Sequence, residues 1–522
     1  MDTDVVVVGA GPVGLLLAAE LSLAGVRPIV LERLAAPASQ PKARGIGILA
    51  AEALRRRGLG DALDREHEQG LAALARDHGT TRTHFAWLHK IDPEAADPGR
   101  SGALIAQPAL EAVLRTHLSG LGVEVHHGFT VTGWEQGPDG VTLTADTPGG
   151  EARVFARYVV GCDGGHSTVR RLAGFGFPGT PPLMTIRYAG AEVAGRDLLP
   201  PPGRLPGGTF FHDDRMIATF DFAVPETTDA AAGRSREVPL SAEEMRASVR
   251  RVTGTDVTIN AFHGGLRFTD QARQADTYRR GRTLLAGDAA HVHSPNGGQG
   301  LNLGLMDAVN LGWKLAATVR GQAPDGLLDS YSAERHPVGA AVLHNTRAQS
   351  ALLAPGPHID ALRDIVADLM DLPAVNRYLG RLLSGTDHRY ELPYPAEHPM
   401  AGQHCPPLLV DGTTPLAELT RPGRPLLLHP AADEIDTGGR ADRIAAASLG
   451  HDDLGALLLR PDGVIAWAAA PGPAPDRTGL HRALDTWFRQ ADGAPASTAT
   501  ARGNGLASDV AAGEGGQFGA GR

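Results

Sequence analysis

Cysteine is scarce in this 522-residue chain, in which Cys162 and Cys405 are the only two. Two isolated thiols build neither a disulfide framework nor a CxxC redox pair, so the sequence predicts a protein of a reducing compartment, the cytoplasm. Lysine is also scarce, and no basic patch with interleaved aromatic residues is present, which argues against nucleic acid as a partner. No uninterrupted run of about eighteen apolar residues occurs, so no membrane span is expected.

The remaining composition is typical of a large globular protein. Hydrophobic residues make up 42% of the chain, and the formal net charge is -10. The length allows for two to four domains, each with a sizeable core. Residues 493–522 are rich in Gly, Ala, Ser and Thr with almost no large apolar side chains, and we expect this tail to be disordered.

The first conspicuous motif is a glycine-rich turn between an apolar strand and a helical segment. Four valines at 5–8 precede the sequence GAGPVG at 9–14, and a second apolar strand closes on Glu32. In a dinucleotide-binding βαβ unit, Gly9 permits the tight turn, Gly11 lets a pyrophosphate approach the helix N-terminus, and Gly14 allows close helix–strand packing. Glu32 can accept from a ribose 2′-hydroxyl, which favours FAD or NAD. A βαβ unit without a nucleotide is the alternative, and the agreement of strand, helix and acid disfavours it.

A second strand–turn–helix pattern lies almost three hundred residues downstream. An apolar strand at 283–286 delivers Asp288 at its carboxyl end, the sequence SPNGGQGLN follows at 294–302, and a long helix is expected from near Gly300. Backbone N–H groups of residues 298–301, at the start of that helix, can supply positive potential to a ligand. The chain therefore offers two ligand-contacting turns to one long cofactor.

The segments between and after these motifs predict the domain order. A strand pattern at 153–160 leads to a third carboxylate turn at Asp163, a residue that alone is more often a turn or helix cap. Short strand-like runs between about 177 and 276 predict an inserted antiparallel sheet. Helical patterns follow at 300–354 and 357–383, and residues 331–337 are interpreted as an ionic turn. A small unit begins near 398, with a hairpin turn at 461–463.

Two further groups of side chains have simpler interpretations. His291 and His293 lie two residues apart, and we expect them to pack or hydrogen-bond locally, with no metal bound. Asp307, Asn310 and Trp313 recur at a spacing of three on the predicted long helix. We interpret them as helix packing and capping and leave them outside the site.

In this order the motifs resemble those of class A flavoprotein monooxygenases, which have the p-hydroxybenzoate hydroxylase fold, and most closely the aromatic polyketide hydroxylases. The resemblance covers roughly residues 3–490 and rests on GAGPVG, Glu32-Arg33, Arg44, Gln107, Cys162-Asp163-Gly164, Gly287-Asp288 and the turn RPDG at 460–463. It implies an α/β fold with three domains. These are a Rossmann-like FAD-binding domain (1–176 and 277–397), an inserted antiparallel β-sheet substrate domain (177–276) and a C-terminal thioredoxin-like domain without CxxC (398–492).

The resemblance also implies where FAD is held. By it, the N-terminal turn with Pro12, Glu32 and Arg33 holds the ADP half, Arg44 and Gln107 reach the pyrophosphate and ribityl region, and Asp288 binds the ribityl chain. Asp163 belongs to a motif that the family associates with both FAD and NAD(P)H. The isoalloxazine is then bordered by Pro295, Gly298, Gly300, Leu301 and Asn302.

The implied activity is hydroxylation of a polycyclic aromatic polyketide through a flavin C4a-hydroperoxide, with NADPH or NADH and O2 as co-substrates. The cofactor carries the hard chemistry, so no catalytic acid or nucleophile is required of the protein. Baeyer–Villiger oxygenation of a polyketide quinone or ketone, and oxidative inactivation of an aromatic antibiotic, stay open because the same flavin chemistry serves them. A flavin-binding carrier or partner that does not use oxygen is the alternative from another class. A monomer or homodimer is expected.

The inserted sheet is expected to roof the substrate pocket. Its candidate wall residues are Phe210, Phe211, Met216, Phe220 and Phe222. Alternating aromatic residues on a strand are more often plain core, and that interpretation stands beside the functional one.

Overall fold

The computed structural model describes residues 1–37, 43–76, 83–213, 215–222, 239–396, 398–430, 437, 439–440, 442–450, 454–472 and 477–489. The tail at 493–522, predicted to be disordered, lies outside these residues. The described part of the chain is a mixed α/β protein with four β-sheets.

The secondary structure follows the predicted alternation. The strands are β1 (Asp2–Val8), β2 (Pro28–Glu32), β3 (Val125–His127), β4 (Thr130–Gln136), β5 (Val141–Thr147), β6 (Gly150–Gly161), β7 (Gly179–Thr180), β8 (Thr185–Ala194), β9 (Gly203–Leu205), β10 (Gly208–His212), β11 (Met216–Asp221), β12 (Thr258–Thr269), β13 (Ala272–Gln274), β14 (Arg279–Arg280), β15 (Thr283–Leu285), β16 (His291–Val292), β17 (Leu426–Leu428), β18 (Ala445–Ala447), β19 (Ala456–Leu459) and β20 (Ile465–Ala469). The α-helices are Pro12–Leu23, Ile48–Arg56, Gly60–Arg76, Pro93–Ala96, Gln107–Gly120, Thr168–Leu172, Ala242–Thr253, Gln299–Val319, Asp329–Leu353, Pro357–Leu369, Pro373–Ser384, Leu416–Leu419 and Arg477–Trp487.

The largest sheet has eight strands and a parallel centre. Strands β15, β6, β1, β2 and β3 lie side by side in that order and run parallel, while β14 and β5 pair antiparallel with β15 and β6. The valines of β1 are almost fully buried, as expected of a strand that is covered on both faces. Val8 pairs with Leu31 on one side and with Gly161 on the other. The carboxyl ends of the central strands therefore lie level at one edge of the sheet.

The second sheet is antiparallel throughout and comes from one contiguous stretch of chain. Its strand order is β12-β8-β11-β10-β9. The helix Ala242–Thr253 packs against one face, where Phe210 and Ile217 lie in a buried cluster with Met245 and Val249. Because alternate residues of a strand point to opposite faces, the residues between them face the other side of the sheet. A third, small sheet of β16, β13 and β7 is formed by segments that flank the second sheet in the chain.

The helical region after the second sheet differs from its prediction in three respects, the first being that the stretch expected at 357–383 is divided into Pro357–Leu369 and Pro373–Ser384. The stretch expected at 300–354 is divided into Gln299–Val319 and Asp329–Leu353 by a turn in which Gly321 and Gly326 have positive φ. Residues 331–337 are not an ionic turn but part of the helix Asp329–Leu353. The interpretation as a turn was wrong because Glu334 and Arg335 are buried and paired inside the protein instead of being solvated.

A four-stranded sheet of β18, β17, β19 and β20 forms the C-terminal part of the described chain. Strands β19 and β20 make the predicted hairpin, closed by hydrogen bonds from Arg460 N to Val464 O (2.9 Å) and from Gly463 N to Arg460 O (2.9 Å). The helix Arg477–Trp487 covers this sheet through a buried cluster that also includes Trp313 of the long helix. The C-terminal sheet is thus packed directly on the helix that begins at the second glycine-rich turn.

Candidate functional site

A cavity of about 2040 Å³ lies at the carboxyl edge of the parallel sheet. The turns that follow β1, β2, β6 and β15 all line it, and one face of the antiparallel sheet lines its other side. In open parallel sheets, ligands bind outside the carboxyl ends of the strands. The three carboxylate turns that the sequence places far apart therefore meet at one site.

The turn after β1 has the geometry that its glycines predict. Gly9 has φ 106, and a Cβ there would lie 2.4 Å from the carbonyl oxygen of Cys162. A Cβ on Gly14 would lie 2.0 Å from the carbonyl oxygen of Gly9, whereas a Cβ on Gly11 would meet no atom within 4 Å. Pro12 is the first residue of the helix Pro12–Leu23, where a missing N–H costs nothing. Gly9 and Gly14 thus serve packing, and Gly11 faces open space.

Glu32 ends β2 beside this turn. Its carboxylate accepts hydrogen bonds from Ala10 N (2.8 Å) and Leu34 N (2.9 Å). These bonds fix the carboxylate at the cavity wall, where lone pairs remain for a hydroxyl donor. Arg33 is exposed and lines the same part of the cavity.

Asp163, after β6, acts as a helix cap in this structure. Its Oδ2 accepts from Thr168 N (2.7 Å) and Val169 N (3.1 Å) at the start of the helix Thr168–Leu172. Burial raises the pKa of Asp163, and hydrogen bonds to its carboxylate from Ser167 and the backbone only partly offset this. Asp163 also lines the cavity, so the capping role and a ligand role are compatible in position.

The turn after β15 presents Asp288 to the cavity and is held from behind by Asp307. The Asp288 side chain is exposed there. The buried Asp307 carboxylate accepts from Gly287 N (3.0 Å), His291 Nε2 (2.7 Å) and Arg335 Nε (2.8 Å). Burial alone would raise the pKa of Asp307, but the Arg335 guanidinium and His291 outweigh it and keep this pKa below its ordinary value. Asp307 therefore does more than pack and cap its helix, because it also bonds the backbone of the turn that carries Asp288.

The loop 295–302 leads into the long helix. Gly297 and Gly298 have φ of 77 and 64, and the helix begins at Gln299, one residue before the predicted start. Gly298 N donates to Pro295 O (2.9 Å), so this N–H, which the sequence analysis included among the donors for a ligand, is already used. The N–H groups of residues 299–301 remain at the helix start.

Asn302 links this loop by hydrogen bonds to the segment near Arg44. Its Oδ1 accepts from Gly47 N (2.5 Å), and its Nδ2 donates to Gly298 O (2.9 Å). Pro295, Gly300, Leu301 and Asn302 all line the cavity. The loop is therefore held in place by contacts on both of its sides.

Arg44 and Gln107 both line the cavity, but they make different contacts. Arg44 reaches the antiparallel sheet, where its Nη2 donates to the Tyr188 hydroxyl (2.8 Å) and to Met216 Sδ (3.3 Å). Gln107 begins the helix Gln107–Gly120, and its Nε2 donates to Glu111 Oε1 (2.9 Å). Arg44 therefore lines the cavity and at the same time contacts the antiparallel sheet.

The five candidate wall residues lie in three different places. Phe211 and Met216 line the cavity. Phe210 is fully buried on the opposite face of the sheet, against the helix Ala242–Thr253. Phe220 and Phe222 do not line the cavity but pack on the buried cluster behind it, and Phe220 meets the ring of the cavity-lining Trp87 edge-on at 6.1 Å. Strand alternation explains the separation of Phe210 from Phe211.

The segment 84–89, which has no role in the sequence prediction, also lines the cavity. Its lining residues are His84, Trp87 and His89. The two histidine rings pack against the Trp87 indole. The sequence carries one signal of this group, since HFAWLH concentrates four ring side chains in six residues of a chain that is 5% aromatic. Its contact with the antiparallel sheet, about 120 residues away, could not be inferred from local pattern.

Metal and membrane features are absent from the described residues. Among them, no group of three or more His, Cys, Asp or Glu side chains converges to hold a metal ion. None of the helices in the described ranges is both long and apolar enough to cross a membrane. His291 bonds Asp307, and the Nδ1 of His293 bonds the carbonyl of Ser294 (2.7 Å), which are the local contacts expected of them.

The residues present fit a long, phosphate-bearing cofactor. Several helix N-termini at the cavity have no side-chain cap, among them one with Gly11 and one with Gly298 at the cap position. Uncapped N–H groups and the helix dipole favour anionic groups. A Cβ on either glycine would meet nothing within 4 Å. The cavity also exceeds the roughly 300–1000 Å³ of a single small-molecule site, which leaves room for a second molecule.

Comparison with known proteins agrees with this site. The model of the FAD binding domain family matches residues 2–346, and that of the aromatic-ring hydroxylase C-terminal family matches residues 398–491. The chain therefore belongs to the FAD-binding aromatic-ring hydroxylases. As such it is an FAD-dependent aromatic monooxygenase.

Its relatives include enzymes of antibiotic chemistry. The 12-dehydrotetracycline 5-monooxygenase/anhydrotetracycline 6-monooxygenase of Streptomyces rimosus is 44% identical over 94% of this chain and 99% of that protein. A rifampicin monooxygenase of Streptomyces venezuelae is 38% identical over 93% of this chain and 98% of its own. The solved structure of the anhydrotetracycline hydroxylase from Streptomyces rimosus has a TM-score of 0.82 at 40% identity, covering 94% of this chain and 99% of that one.

Proposed function

We propose that this monooxygenase hydroxylates a polycyclic aromatic polyketide, using NAD(P)H and O2. One observation carries the proposal: a single cavity is lined both by the turns at the carboxyl ends of the parallel strands and by a wall of the antiparallel sheet that includes Phe211 and Met216. A flat substrate on that wall would lie beside the loop 295–302. The similarity to a monooxygenase named for 12-dehydrotetracycline and anhydrotetracycline supports a multi-ring substrate.

The proposed roles of the cofactor residues follow their positions on the cavity. Gly11 and the helix start at Pro12 receive the pyrophosphate, Gly9 and Gly14 shape that turn, and Glu32 with Arg33 binds the adenosine ribose region. Arg44 and Gln107 flank the pyrophosphate and ribityl chain, Asp288 binds the ribityl hydroxyls, and Asp163 contributes to FAD and NAD(P)H binding. Pro295, Gly298, Gly300, Leu301 and Asn302 border the isoalloxazine.

When bound, FAD supplies the electron transfer and oxygen activation that amino-acid side chains lack. The protein's own contribution is positional and electrostatic. The N–H groups at the start of the helix Gln299–Val319 favour negative charge at the edge of the ring system. On the sheet side of the cavity, Phe211 and Met216 offer the substrate an apolar surface among polar neighbours and help to fix its approach. NADPH or NADH binds transiently as the electron donor.

The domain division is part of the proposal. Residues 1–176 and 277–397 form a Rossmann-like FAD-binding domain, and the parallel order β15-β6-β1-β2-β3 supports it. Residues 177–276 form the substrate domain around the antiparallel sheet. Residues 398–492 form a thioredoxin-like domain, which the mixed sheet β18-β17-β19-β20 supports. A cytoplasmic location and a monomeric or homodimeric state stay predictions.

A second candidate function is oxidative inactivation of an aromatic antibiotic. The similarity to a rifampicin monooxygenase over 93% of the chain favours it. Baeyer–Villiger insertion would use the same bound flavin in a different protonation state and would give a different product. A flavin-binding carrier that does not use oxygen would keep the same cofactor contacts. Product analysis separates hydroxylation from Baeyer–Villiger insertion and from a carrier that does not use oxygen, and the preferred compound separates biosynthesis from inactivation.

The test is NADPH consumption by the purified FAD-loaded protein in air, with and without anhydrotetracycline or rifampicin, followed by mass spectrometry. Faster consumption with a gain of one oxygen atom is the expected result. The preferred compound separates the two candidate functions, and an opened or expanded ring would indicate Baeyer–Villiger insertion. Bound flavin that NADPH reduces without oxygen transfer to any ring compound would contradict the oxygenase proposal.

A further inference from the structure

The segment beside the cavity contains a tight turn with an unfavourable backbone. Phe85 and Leu88 form an antiparallel bridge through two hydrogen bonds, Phe85 N to Leu88 O (3.1 Å) and Leu88 N to Phe85 O (2.9 Å). The two residues between them, Ala86 and Trp87, have φ of 49 and 63. Turns of this kind prefer Asn-Gly or Gly-Gly, because side chains with a Cβ are strained in the left-handed region. In the described chain, these are the two non-glycine residues with positive φ.

Two side chains from other helices hold the turn in this conformation. Gln349 Oε1 accepts from Ala86 N (3.1 Å), and Arg363 Nη1 donates to Ala86 O (2.8 Å). Both side chains are buried, and Ala86 itself is 1% exposed. Trp87 N donates to His84 Nδ1 (3.3 Å). Local strain of this kind persists where the surrounding structure fixes it, and it concentrates at ligand sites.

The strained turn aims the Trp87 indole at the cavity. His84 stacks on the indole, with ring centroids 5.6 Å apart and planes at 25°. His89 packs edge-on against it at 5.8 Å, and Phe211 of the antiparallel sheet lies 6.2 Å away. Burial, with a smaller effect of His89, lowers the pKa of His84 to about 4, so this ring is neutral at physiological pH. The result is an aromatic wall that is built from two distant parts of the chain.

The geometry points to Trp87 as a specificity-determining residue, whose indole is the platform on which a planar, multi-ring substrate stacks. This role rests on the proposed function, and it adds the residue that recognises the multi-ring substrate. The binding free energy from stacking increases with the area of overlap between the rings. A substrate with one ring therefore covers little of the indole, and a substrate with several fused rings covers much of it. A turn that is strained but held from two helices keeps the indole in place before the substrate arrives, which reduces the ordering cost of binding.

Two substitutions separate the indole from the turn that carries it. Trp87→Asn removes the ring but suits the turn, because Asn tolerates the left-handed region better than most residues. Trp87→Phe keeps an aromatic ring of smaller area. The matched control is Phe210→Leu, which changes the neighbour of Phe211 on the face of the sheet away from the cavity.

The measurement is the dissociation constant of three probes, phenol, 2-naphthol and anhydrotetracycline, by isothermal titration calorimetry with the FAD-loaded protein. Trp87→Asn is expected to weaken anhydrotetracycline binding by roughly tenfold or more, 2-naphthol less and phenol least. Trp87→Phe should be intermediate, and Phe210→Leu should bind all three probes as the wild type does.

Equal loss for all three probes, or unchanged binding of anhydrotetracycline by Trp87→Asn, would overturn the inference. So would a wild type that binds none of the probes. Failure of the proposed function is recognised separately, from the FAD content and from the oxygen gain of products made by the wild-type protein.

Discussion

Gly11 and Gly14 lie three residues apart in one motif, yet their surroundings predict different outcomes on substitution. Gly11 has an ordinary φ of -73 and open space where a Cβ would point. Gly11→Ala should therefore fold with an unchanged apoprotein melting temperature but bind FAD at least ~tenfold more weakly, because the methyl group occupies the approach of the pyrophosphate. Absorbance titration of apoprotein with FAD measures this change.

Gly14→Ala is the comparison. Its Cβ would collide with the carbonyl oxygen of Gly9, so the variant should lose about 1–3 kcal/mol of folding stability even without FAD. Thermal unfolding of both apoproteins measures this difference in stability. If Gly11→Ala destabilises the apoprotein as much as Gly14→Ala does, the assignment of Gly11 to a ligand contact is wrong.

The position of a single functional residue can be predicted from the sequence only when nearby residues in the chain fix it. The glycines, Glu32 and Asp288 were placed at the cavity because a strand end and a backbone turn fix their positions. Trp87 was missed because the turn that carries it is held through Ala86, whose backbone bonds Gln349 and Arg363, more than 260 residues away. Local pattern carries no information on such contacts.

At the scale of elements, the long helix Gln299–Val319 holds the turn that precedes it. Asp307, on its third turn, receives three hydrogen bonds, one of them from Gly287 N. Asp307→Asn leaves the buried Arg335 without its charge partner. This change should cost about 3–5 kcal/mol of stability and also weaken FAD binding, because the Asp288 turn is released. Thermal unfolding and FAD titration measure the two effects.

The control for this prediction is Asp288→Asn. The Asp288 carboxylate is exposed to the cavity, so its loss should weaken FAD binding without lowering the apoprotein melting temperature. An Asp307→Asn protein of wild-type stability and FAD affinity would show that Asp307 does not position this turn.

The strands and helices were predictable to different degrees. The parallel strands were recognised from continuous apolar runs that end in glycine or acid. The alternation in β10 showed that the sheet has two faces, but not which face meets the cavity, because the helix Ala242–Thr253 that covers the Phe210 face cannot be assigned to it from local sequence. The break between the two long helices was missed although the sequence carries a local signal for it, because Gly321, Pro324 and Gly326 together are typical of a turn.

At the scale of the whole molecule, a buried ionic cluster joins the C-terminal sheet to the FAD-binding part. Glu334 accepts from Arg460 Nη1 (2.6 Å) and Lys314 Nζ (2.7 Å), and Arg460 also pairs with Asp462. Two cations and two anions are thus buried together. Burial would raise the pKa of Glu334, but Arg460 and Lys314 outweigh it and hold this pKa well below its ordinary value.

This depressed pKa predicts acid lability with a definite sign. The stabilisation by Glu334 is fully present above its unfolded value of about 4.5 and is lost as pH falls below it toward the folded value. Glu334→Gln should cost about 3–5 kcal/mol at pH 7, and the difference from wild type should narrow with falling pH. Melting temperatures between pH 7 and pH 3.5 measure both effects.

Glu135→Gln is the matched control, because Glu135 is an exposed strand residue 3.7 Å from Arg153. It should change the melting temperature little at any pH. A Glu334→Gln protein that behaves like this control would show that the buried cluster does not stabilise the docked C-terminal sheet.

The strand order of the largest sheet also bears on how the polypeptide is made. β1 and β6 are synthesised long before β15, which completes the parallel row at residues 283–285. At ribosomal elongation rates the first strand waits on the order of tens of seconds for the last one. The antiparallel sheet, whose strands lie between residues 185 and 269, is complete earlier and is contiguous. The nascent chain therefore completes the antiparallel sheet before the parallel row, and the cavity at the carboxyl edge of that row cannot form until β15 has been made.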